Sequence, residues 1–397
     1  MRSSLQYFFN GTLVTDTGEI RDGAVLTRDG RIEEAGARGA PPPAAELIDA
    51  AGGYIAPGFI DIHIHGGGGS DFMDATPEDV EQVFRFHASH GTTALCPTTC
   101  AAPLAEILSA LDQVNAYRAG GTRYGRALGA HIEGPYLNMS KKGCHLPEYV
   151  RNPVESEWRR MLDCGPVASM TLAPELTGAP PLIKALRRNG SNASAGHSEA
   201  LYHEVEEAMG WGVNHVTHLY CAMSSAMNNR WRLQPNLPRS GGLLEAALLD
   251  ERLTSEVISD GKHLSAEMLR LSLRLMGHQR LAIITDAMRG AGMPDGEYAF
   301  GPRNGLVAVV RNGEARVPDG TALASSVFGM NQMVRTFHGL TGCPLWQAVR
   351  MGSLTPAEIL GVSDSLGSLA KGKQADIILL DDRLEVNATY IAGVRVE

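Results

Sequence analysis

Residues 57–66, PGFIDIHIHG, alternate between apolar and polar side chains. Successive side chains of a β-strand point to opposite faces, so the isoleucines share one face and the polar residues share the other. The polar residues are Asp61, His63 and His65. Two imidazoles on one face can bind a single metal ion, although a half-buried strand with two incidental histidines has the same pattern. The partners elsewhere in the chain decide between these two interpretations.

Strand-like and helix-like segments alternate through the middle of the chain. A helix is predicted from Thr76 to Gly91, because Thr76 is a favourable N-cap and Pro77 suits the first turn. The strand-like segments are residues 57–66, 92–99, 125–133, 167–175, 192–197, 213–218, 256–260 and 281–286. Most are separated by helix-like segments such as residues 104–117, 181–188, 199–209, 243–249 and 265–276. This alternation predicts parallel strands with right-handed crossovers, and eight repeats favour a closed (β/α)8 barrel of the TIM type over an open sheet.

Both ends of the chain have a different pattern, in which short strand-like segments alternate with polar turns. Asn10-Gly11, Asp22-Gly23 and Asp29-Gly30 are strong hairpin signals, because Asn, Asp and Gly tolerate the positive φ of tight turns. Residues 377–380 and 390–397 are again strand-like. We therefore predict a small β-sandwich domain built from residues 1–56 and 360–397, and a barrel domain over residues 57–359.

Composition and charge exclude several classes of protein. Of the 397 residues, 44% are hydrophobic and 20% are charged, as in an ordinary globular protein. The formal net charge of −9 is spread along the chain without a Lys/Arg block, so no nucleic-acid partner is expected. No apolar run reaches the roughly 18 residues of a membrane span, and the first residues lack an export signal. Six cysteines without a Cys-x-x-Cys pair indicate free thiols, and a cytoplasmic location is expected.

Ionisable residues fall at the carboxyl-terminal ends of five of the predicted strands. They are His63, His65, Glu133, His197, His218 and Asp286. Active sites of such barrels lie at this end, and stability alone does not require these residues there. Imidazole nitrogen and carboxylate oxygen suit Zn²⁺ and also Mn²⁺ or Fe²⁺. Because these donors exceed the needs of one tetrahedral ion, a second ion bridged by Glu133 stays an open alternative.

Several motifs carry a resemblance to a known family. PGFIDIHIHG resembles the first-strand signature of the amidohydrolase superfamily. The more particular motifs are HIEGPYL at 131–137, KKG at 141–143, LAPE at 172–175, AGHS at 195–198, THLY at 217–220, SDGKH at 259–263 and TDAM at 285–288. Together, from about residue 55 to residue 380, they resemble the N-acetylglucosamine-6-phosphate deacetylase family.

This resemblance implies a metal-dependent hydrolase that removes the acetyl group from an N-acetylated amino-sugar phosphate. The implied primary metal ligands are Glu133, His197 and His218. His63 and His65 would complete a second site, although some members lack this pair and work with one ion. Asp286 takes the catalytic position, as a base that later returns its proton to the leaving amine. The implied substrate-binding residues are Cys144, His145, Cys221, Ala222, Arg230, His263 and Ser326. The resemblance also implies a homodimer.

Three features of the chain depart from the family, all at the sugar and phosphate end. Cys221 stands where the family usually has Asn, and LASS at 323–326 replaces the usual Leu-x-Gly-Ser. The loop over residues 224–242 is longer than expected and leaves Arg230 and Arg232 as alternative phosphate-binding residues. The favoured substrate is N-acetyl-D-glucosamine 6-phosphate. The alternatives are N-acetylgalactosamine 6-phosphate and an unphosphorylated amino sugar. A sugar-binding barrel without catalysis is a remote alternative, because no ligand or base is missing.

Overall fold

A computed structural model describes residues 5–121, 123–230 and 239–397 of the chain. Within these residues, eight parallel strands follow one another around a barrel in the order of the sequence. In chain order the barrel strands span Phe59–Ile64, Thr92–Thr99, Ala130–Glu133, Val167–Leu172, Asn192–Ala195, Val213–Val216, Thr254–Ile258 and Leu281–Ile284. The predicted (β/α)8 barrel is therefore confirmed.

Hydrogen bonds at the carboxyl ends of the first and eighth barrel strands close the barrel. The backbone N–H of Asp286 donates to the carbonyl of His63 at 2.9 Å, and that of His65 donates to the carbonyl of Ala287 at 2.9 Å. Below them, the hydroxyl of Thr285 donates to the buried carboxyl group of Asp61 at 2.5 Å. This closure places the histidines of the first strand beside Asp286.

Helices cover the outside of the barrel. The first begins at Pro77, and its N-cap Thr76 accepts a hydrogen bond from the backbone of Asp79, as the sequence predicts. The helices of the described residues span Pro77–Ala88, Leu104–Gly120, Glu155–Asp163, Ala179–Arg188, Tyr202–Trp211, Leu243–Leu249, Ala266–Arg280, Met330–Thr341, Leu345–Met351 and Leu354–Ile359. Short 3₁₀ turns lie at Phe72–Asp74, Met139–Lys141 and Pro147–Tyr149. None of the described helices combines the length and apolarity that a membrane crossing requires.

Strands from both ends of the chain form a second sheet, the terminal sheet. Its described strands span Leu5–Val14, Glu19–Arg28, Arg31–Ala37, Glu46–Asp49, Tyr54–Pro57, Ile377–Leu380, Val386–Ile391 and Val394–Arg395. The two ends meet where Tyr54–Pro57 pairs antiparallel with Ile377–Leu380. Residues such as Phe8, Ile55 and Ile377 form a core separate from that of the barrel. The exact limits 1–56, 57–359 and 360–397 of the two domains stay a prediction.

Two of the three predicted hairpin turns are wrong. Asn10-Gly11 and Asp22-Gly23 lie inside strands, and Gly11 pairs with Gly23 where the register between the first two strands shifts. One type of β-bulge uses the same positive φ as a tight turn, and Asn10 and Asp22 have φ values of 59° and 46°. A Cβ on Gly23 would lie 2.4 Å from that of Leu13, so the two strands approach too closely for a side chain. Of the three predicted turns, only Asp29-Gly30 lies between two strands.

A small three-stranded sheet follows the eighth barrel strand and has no counterpart in the sequence-based predictions. Its strands span Gly296–Phe300, Leu306–Arg311 and Glu314–Arg316. Arg289 fixes it to the barrel by donating to the carbonyls of Ala299 and Gly301 at 3.1 and 2.8 Å. The same guanidinium forms a buried ion pair with Asp74. The sheet thereby holds Phe300 above the barrel.

The six cysteines all lie in the described part of the chain and are free thiols, as predicted.

We expect the ion pair that joins the barrel to the terminal sheet to contribute measurably to stability. Arg126 donates to both carboxylate oxygens of Asp376, at 3.0 and 3.1 Å, and Asp376 is largely buried. Replacing Arg126 by Leu leaves a buried carboxylate without its cation and should reduce the free energy of unfolding by about 1–3 kcal/mol. Denaturant titration followed by circular dichroism measures this.

The matched control is Arg28→Leu, which removes an exposed ion pair with Glu33 in the same sheet. We expect no measurable change from that variant, because exposed pairs contribute little. Equal destabilisation by the two variants would contradict the special role of Arg126.

Candidate metal centre and substrate pocket

The ionisable residues predicted at the strand ends lie together at the carboxyl end of the barrel. Glu133 is the last residue of the third barrel strand. His197, His218 and Asp286 each lie two residues beyond the end of the fifth, sixth and eighth strands. His63 lies near the end of the first strand, and His65 follows it. Because parallel strands end on the same side of a barrel, residues far apart in sequence surround one point.

Three of these residues adopt a backbone conformation that favours glycine. The φ angles of His197, His218 and Asp286 are 48°, 26° and 46°. Non-glycine residues seldom have positive φ, and such positions concentrate at functional sites. Each residue lies where the chain turns sharply out of a barrel strand. The histidines and the aspartate therefore stand at positions where local backbone energy alone would favour glycine.

Glu133 is the centre of the cluster. Its carboxylate is buried and lies 3.1–3.4 Å from the Nε2 atoms of five histidines. These histidines are His63, His65, His145, His197 and His218. The Nε2 atoms of His197 and His218 are also 3.1 Å apart. Donor atoms this close, buried in one place, leave little room for anything larger than a metal ion.

Two groups of donors have the spacing of metal ligands. One is His63, His65 and Glu133, and the other is Glu133, His197 and His218. Ligand atoms bound tetrahedrally at about 2.1 Å from an ion are roughly 3.4 Å apart, close to the distances found here. The Nε2 atoms of His63 and His65 are buried and have no hydrogen-bond partner within the described residues. The donor set therefore fits one divalent ion, or two ions that share Glu133.

Hydrogen bonds at Nδ1 assign different tautomers to the histidines. Nδ1 of His197 is 2.7 Å from the carbonyl oxygen of Lys141, so it carries a proton and leaves the Nε2 lone pair free. Nδ1 of His145 instead accepts a hydrogen bond from the backbone N–H of Ala101 at 3.2 Å. In neutral His145, Nε2 therefore carries the proton. His197 has the tautomer of a metal ligand, and His145 has that of a hydrogen-bond donor.

The pKa values of the cluster respond to burial and to the mutual attraction of opposite charges. Burial alone lowers the pKa of His65, but the nearby carboxylates of Asp286 and Glu133 outweigh it and raise that pKa to about 9. Burial alone raises the pKa of Glu133, but His63 and His197 hold it well below its usual range. The pKa of Asp286 is lowered in the same way, since His63 and His65 outweigh its burial. A site that retains carboxylate charge in this manner also attracts a divalent cation.

A cavity of about 400 Å³ opens from the cluster. This volume is within the range of small-molecule sites. Of the predicted substrate-binding residues, the cavity is lined by Cys144, His145, Cys221, Ala222 and His263. His263 is held in place by a 2.7 Å contact between its Nδ1 and the carboxylate of Asp260.

The remaining predicted substrate residues lie elsewhere. Ser326 is buried but outside the cavity lining, since its hydroxyl donates to the carbonyl of Thr285 at 2.5 Å. Its neighbour Ser325 lines the cavity and donates to Oδ1 of Asp286 at 3.3 Å. Arg230 is also outside the lining and pairs with Glu204 of its own chain. Arg232 lies outside the described residues, together with the rest of residues 231–238 of the 224–242 loop.

Phe300 and Glu256 are among the residues of the site that sequence reasoning missed. Phe300 lines the cavity, and its ring centroid lies 4.8 Å from that of His65. Nothing in the local pattern signals this contact, because the small sheet that carries Phe300 was not predicted. Glu256 is buried in the seventh barrel strand, and its carboxylate contacts His63 at 2.7 Å. Strands of a parallel barrel are buried on both faces, so an acidic residue in such a strand could have drawn attention to it.

Comparisons with known proteins agree with this geometry. The model of the amidohydrolase family matches residues 54–396. The chain is 34% identical over 347 residues to N-acetylglucosamine-6-phosphate deacetylase of Vibrio furnissii, covering 85% of this chain and 82% of the relative. It is 32% identical over 383 residues to N-acetylgalactosamine-6-phosphate deacetylase of Escherichia coli O157:H7, covering 96% of each.

A solved structure is similar over the whole chain. It is that of an N-acetyl-D-glucosamine-6-phosphate deacetylase mutant from Mycobacterium smegmatis in complex with N-acetyl-D-glucosamine-6-phosphate. It has a TM-score of 0.89 and 34% sequence identity, and the match covers 99% of both chains. The resemblance inferred from the motifs is confirmed.

We expect the two groups of donors to be separable in metal binding. A chain with both His63→Ala and His65→Ala should keep one ion at Glu133, His197 and His218, and lose any second ion. Mass-spectrometric metal analysis after equilibrium dialysis gives the number of ions per chain. His203→Ala, a surface histidine outside both groups, is the control. Loss of all bound metal from the double variant would show that the donors form a single, indivisible centre.

Proposed function

The chain belongs to the amidohydrolase family, and we propose that it is a metal-dependent deacetylase of N-acetyl-D-glucosamine 6-phosphate, releasing D-glucosamine 6-phosphate and acetate. The observation that carries the proposal is the buried Glu133 carboxylate, surrounded by imidazole nitrogens at the inner end of a cavity large enough for a sugar phosphate. Relatives that carry this name cover most of the chain.

Glu133, His197 and His218 would hold the first ion, and His63 and His65 would hold a second that shares Glu133. Nitrogen and oxygen donors fit Zn²⁺ best, with Fe²⁺ and Mn²⁺ as alternatives. A divalent ion at this place would polarise the amide carbonyl and lower the pKa of a nearby water towards ~7.

Asp286 is the proposed proton carrier. Its Oδ1 lies 3.3 Å from Nε2 of His65 and accepts a hydrogen bond from Ser325, so the carboxylate is held at the inner end of the cavity. An aspartate carboxylate is ionised at neutral pH and can accept the proton of the attacking water. The same group then delivers this proton to the amine nitrogen as the C–N bond breaks.

His145 is the proposed donor to the carbonyl oxygen of the amide. The hydrogen bond from Ala101 occupies its Nδ1, so Nε2–H points toward Glu133 at 3.2 Å in the cavity wall. A fixed, buried donor of this kind stabilises the negative charge that develops on the oxygen during attack. His145 therefore has a role distinct from that of the ligating histidines.

The 4-epimer, N-acetylgalactosamine 6-phosphate, is the second candidate substrate. The relative from Escherichia coli carries that name, and Cys221 lines the cavity at a position where the resemblance predicts an amide. Cysteine is a weak hydrogen-bond partner, so it discriminates less between sugar hydroxyls than asparagine does. An unphosphorylated amino sugar is the remaining alternative.

We further propose a homodimer in the cytoplasm with no nucleic-acid or membrane partner. Arg230 lies outside the cavity of its own chain, which is what a phosphate-binding residue supplied to a neighbouring subunit would require.

Replacement of the proton carrier should abolish turnover without removing metal. Asp286→Asn keeps the shape of the side chain but cannot accept the proton of water, so we expect kcat to fall by about 10²–10⁴-fold. Acetate release and metal content are measured on the same preparation. Asp112→Asn changes an exposed aspartate distant from the cluster and serves as the control. A metal-replete Asp286→Asn enzyme with near-normal kcat would refute the assignment.

The substrate assignment is tested by comparing kcat/KM for three compounds. These are N-acetylglucosamine 6-phosphate, its galactosamine epimer and unphosphorylated N-acetylglucosamine. We expect the first to be preferred, and the bare sugar to be poorer by about 10³-fold or more, because a site built for a charged group rejects an analogue that lacks it. Equal efficiency with the bare sugar would exclude a phosphate-reading site. A preference for the epimer would establish the second candidate.

A further inference from the structure

Glu256 occupies an unfavourable place for a charged residue. It lies in the middle of the seventh barrel strand, Thr254–Ile258, and is 2% exposed. Burial of a carboxylate costs free energy unless hydrogen bonds or opposite charges compensate for it. The surroundings of Glu256 therefore indicate what the residue does.

Both carboxylate oxygens of Glu256 are used, and the shortest contact is with a predicted metal ligand. Oε1 is 2.7 Å from Nδ1 of His63 and accepts the backbone N–H of His218 at 3.2 Å. Oε2 is 3.2 Å from Nε2 of His215. Glu256 thus contacts the ring of His63, which belongs to the first donor group. It also contacts the backbone of His218, which belongs to the second.

The contact with His63 determines which ring nitrogen is available. A carboxylate accepts hydrogen bonds and cannot donate them, so Nδ1 of neutral His63 must carry the proton. The lone pair is then on Nε2, which lies 3.4 Å from Oε1 of Glu133 and 3.5 Å from Oδ1 of Asp286. His65 lacks such support, since its Nδ1 is buried without a hydrogen bond among the described residues.

A purely structural role for Glu256 explains less of this arrangement. Strand pairing needs only backbone groups, and the neighbouring Ser255 already fastens its strand to the sixth through a 2.7 Å hydrogen bond to the carbonyl of Val216. In the observed orientation, Oε1, which has the shortest contact, faces the ring of His63, and that ring faces the cluster.

We propose that Glu256 is a positioning residue that holds His63 in the tautomer and orientation of a metal ligand, and so determines the affinity of the position formed by His63, His65 and Glu133. The proposal rests on the metal centre of the proposed function.

The test compares Glu256→Gln and Glu256→Ala with the unmodified chain. Co²⁺ titration of the metal-free proteins, followed by visible absorption and by competition with a chelator, gives one dissociation constant per ion. Loss of an outer hydrogen-bond partner typically weakens metal binding by 10–100-fold. We expect such a loss for the second ion in Glu256→Ala, a smaller loss in Glu256→Gln, and an unchanged first ion.

Ser255→Ala is the matched control, because it removes a buried hydrogen bond from the same strand without touching a histidine. Thermal unfolding of the metal-free proteins measures how much each substitution destabilises the fold. The proposal would be overturned if the Glu256 variants bound both ions more weakly by the same factor, or if both variants left the dissociation constant of the second ion unchanged. It would also be overturned if the unmodified chain bound only one ion. An unmodified chain that binds two ions but releases no acetate would refute the deacetylase function while the role of Glu256 still stood.

Discussion

Burial of the Glu133 carboxylate is the constraint on which the rest of the site depends. Its charge is removed from water at the end of a barrel strand, and the nearest groups are five imidazoles, of which the four that would serve as metal ligands are then uncharged. Neutral rings do not compensate a buried anion. A divalent cation does so, and the same cation uses Nε2 of His63 and of His65, which have no hydrogen-bond partner in the described part of the chain. The charge of one residue thus explains why so many polar groups meet there.

The hydrogen bonds at Nδ1 give chemically identical histidines different functions. A carbonyl at Nδ1 of His197 and a carboxylate at Nδ1 of His63 both leave Nε2 free to bind metal. A backbone N–H at Nδ1 of His145 has the opposite effect and makes Nε2 a donor. The roles of these three histidines are therefore set by the group that contacts Nδ1 of each, which belongs to Lys141, Glu256 or Ala101.

Much of the fold and of the metal cluster could be predicted because both follow from periodicity. Alternation identified the strands, and parallel strands bring their ends together, which located Glu133, His197 and Asp286. Periodicity could not predict the contacts that run perpendicular to the strands, between side chains of neighbouring segments. Ser325 and Ser326 differ by one position, and only the path of the chain beside Thr285 decides which hydroxyl faces the cavity. The bulge at Asn10-Gly11 uses the same backbone angles as a turn, so the sequence signal was real and its interpretation was wrong.

The pairing of Tyr54–Pro57 with Ile377–Leu380 affects the chain while it is being made. These segments lie about 320 residues apart, and a ribosome takes roughly 15–65 s to add that many residues. Throughout this interval the early strand has an open edge whose backbone groups can pair with other nascent chains. His63 and His65 emerge early and Asp286 much later, so the cluster is incomplete for most of the same period. Rapid elongation, or a chaperone that covers this edge, therefore favours recovery of the native protein.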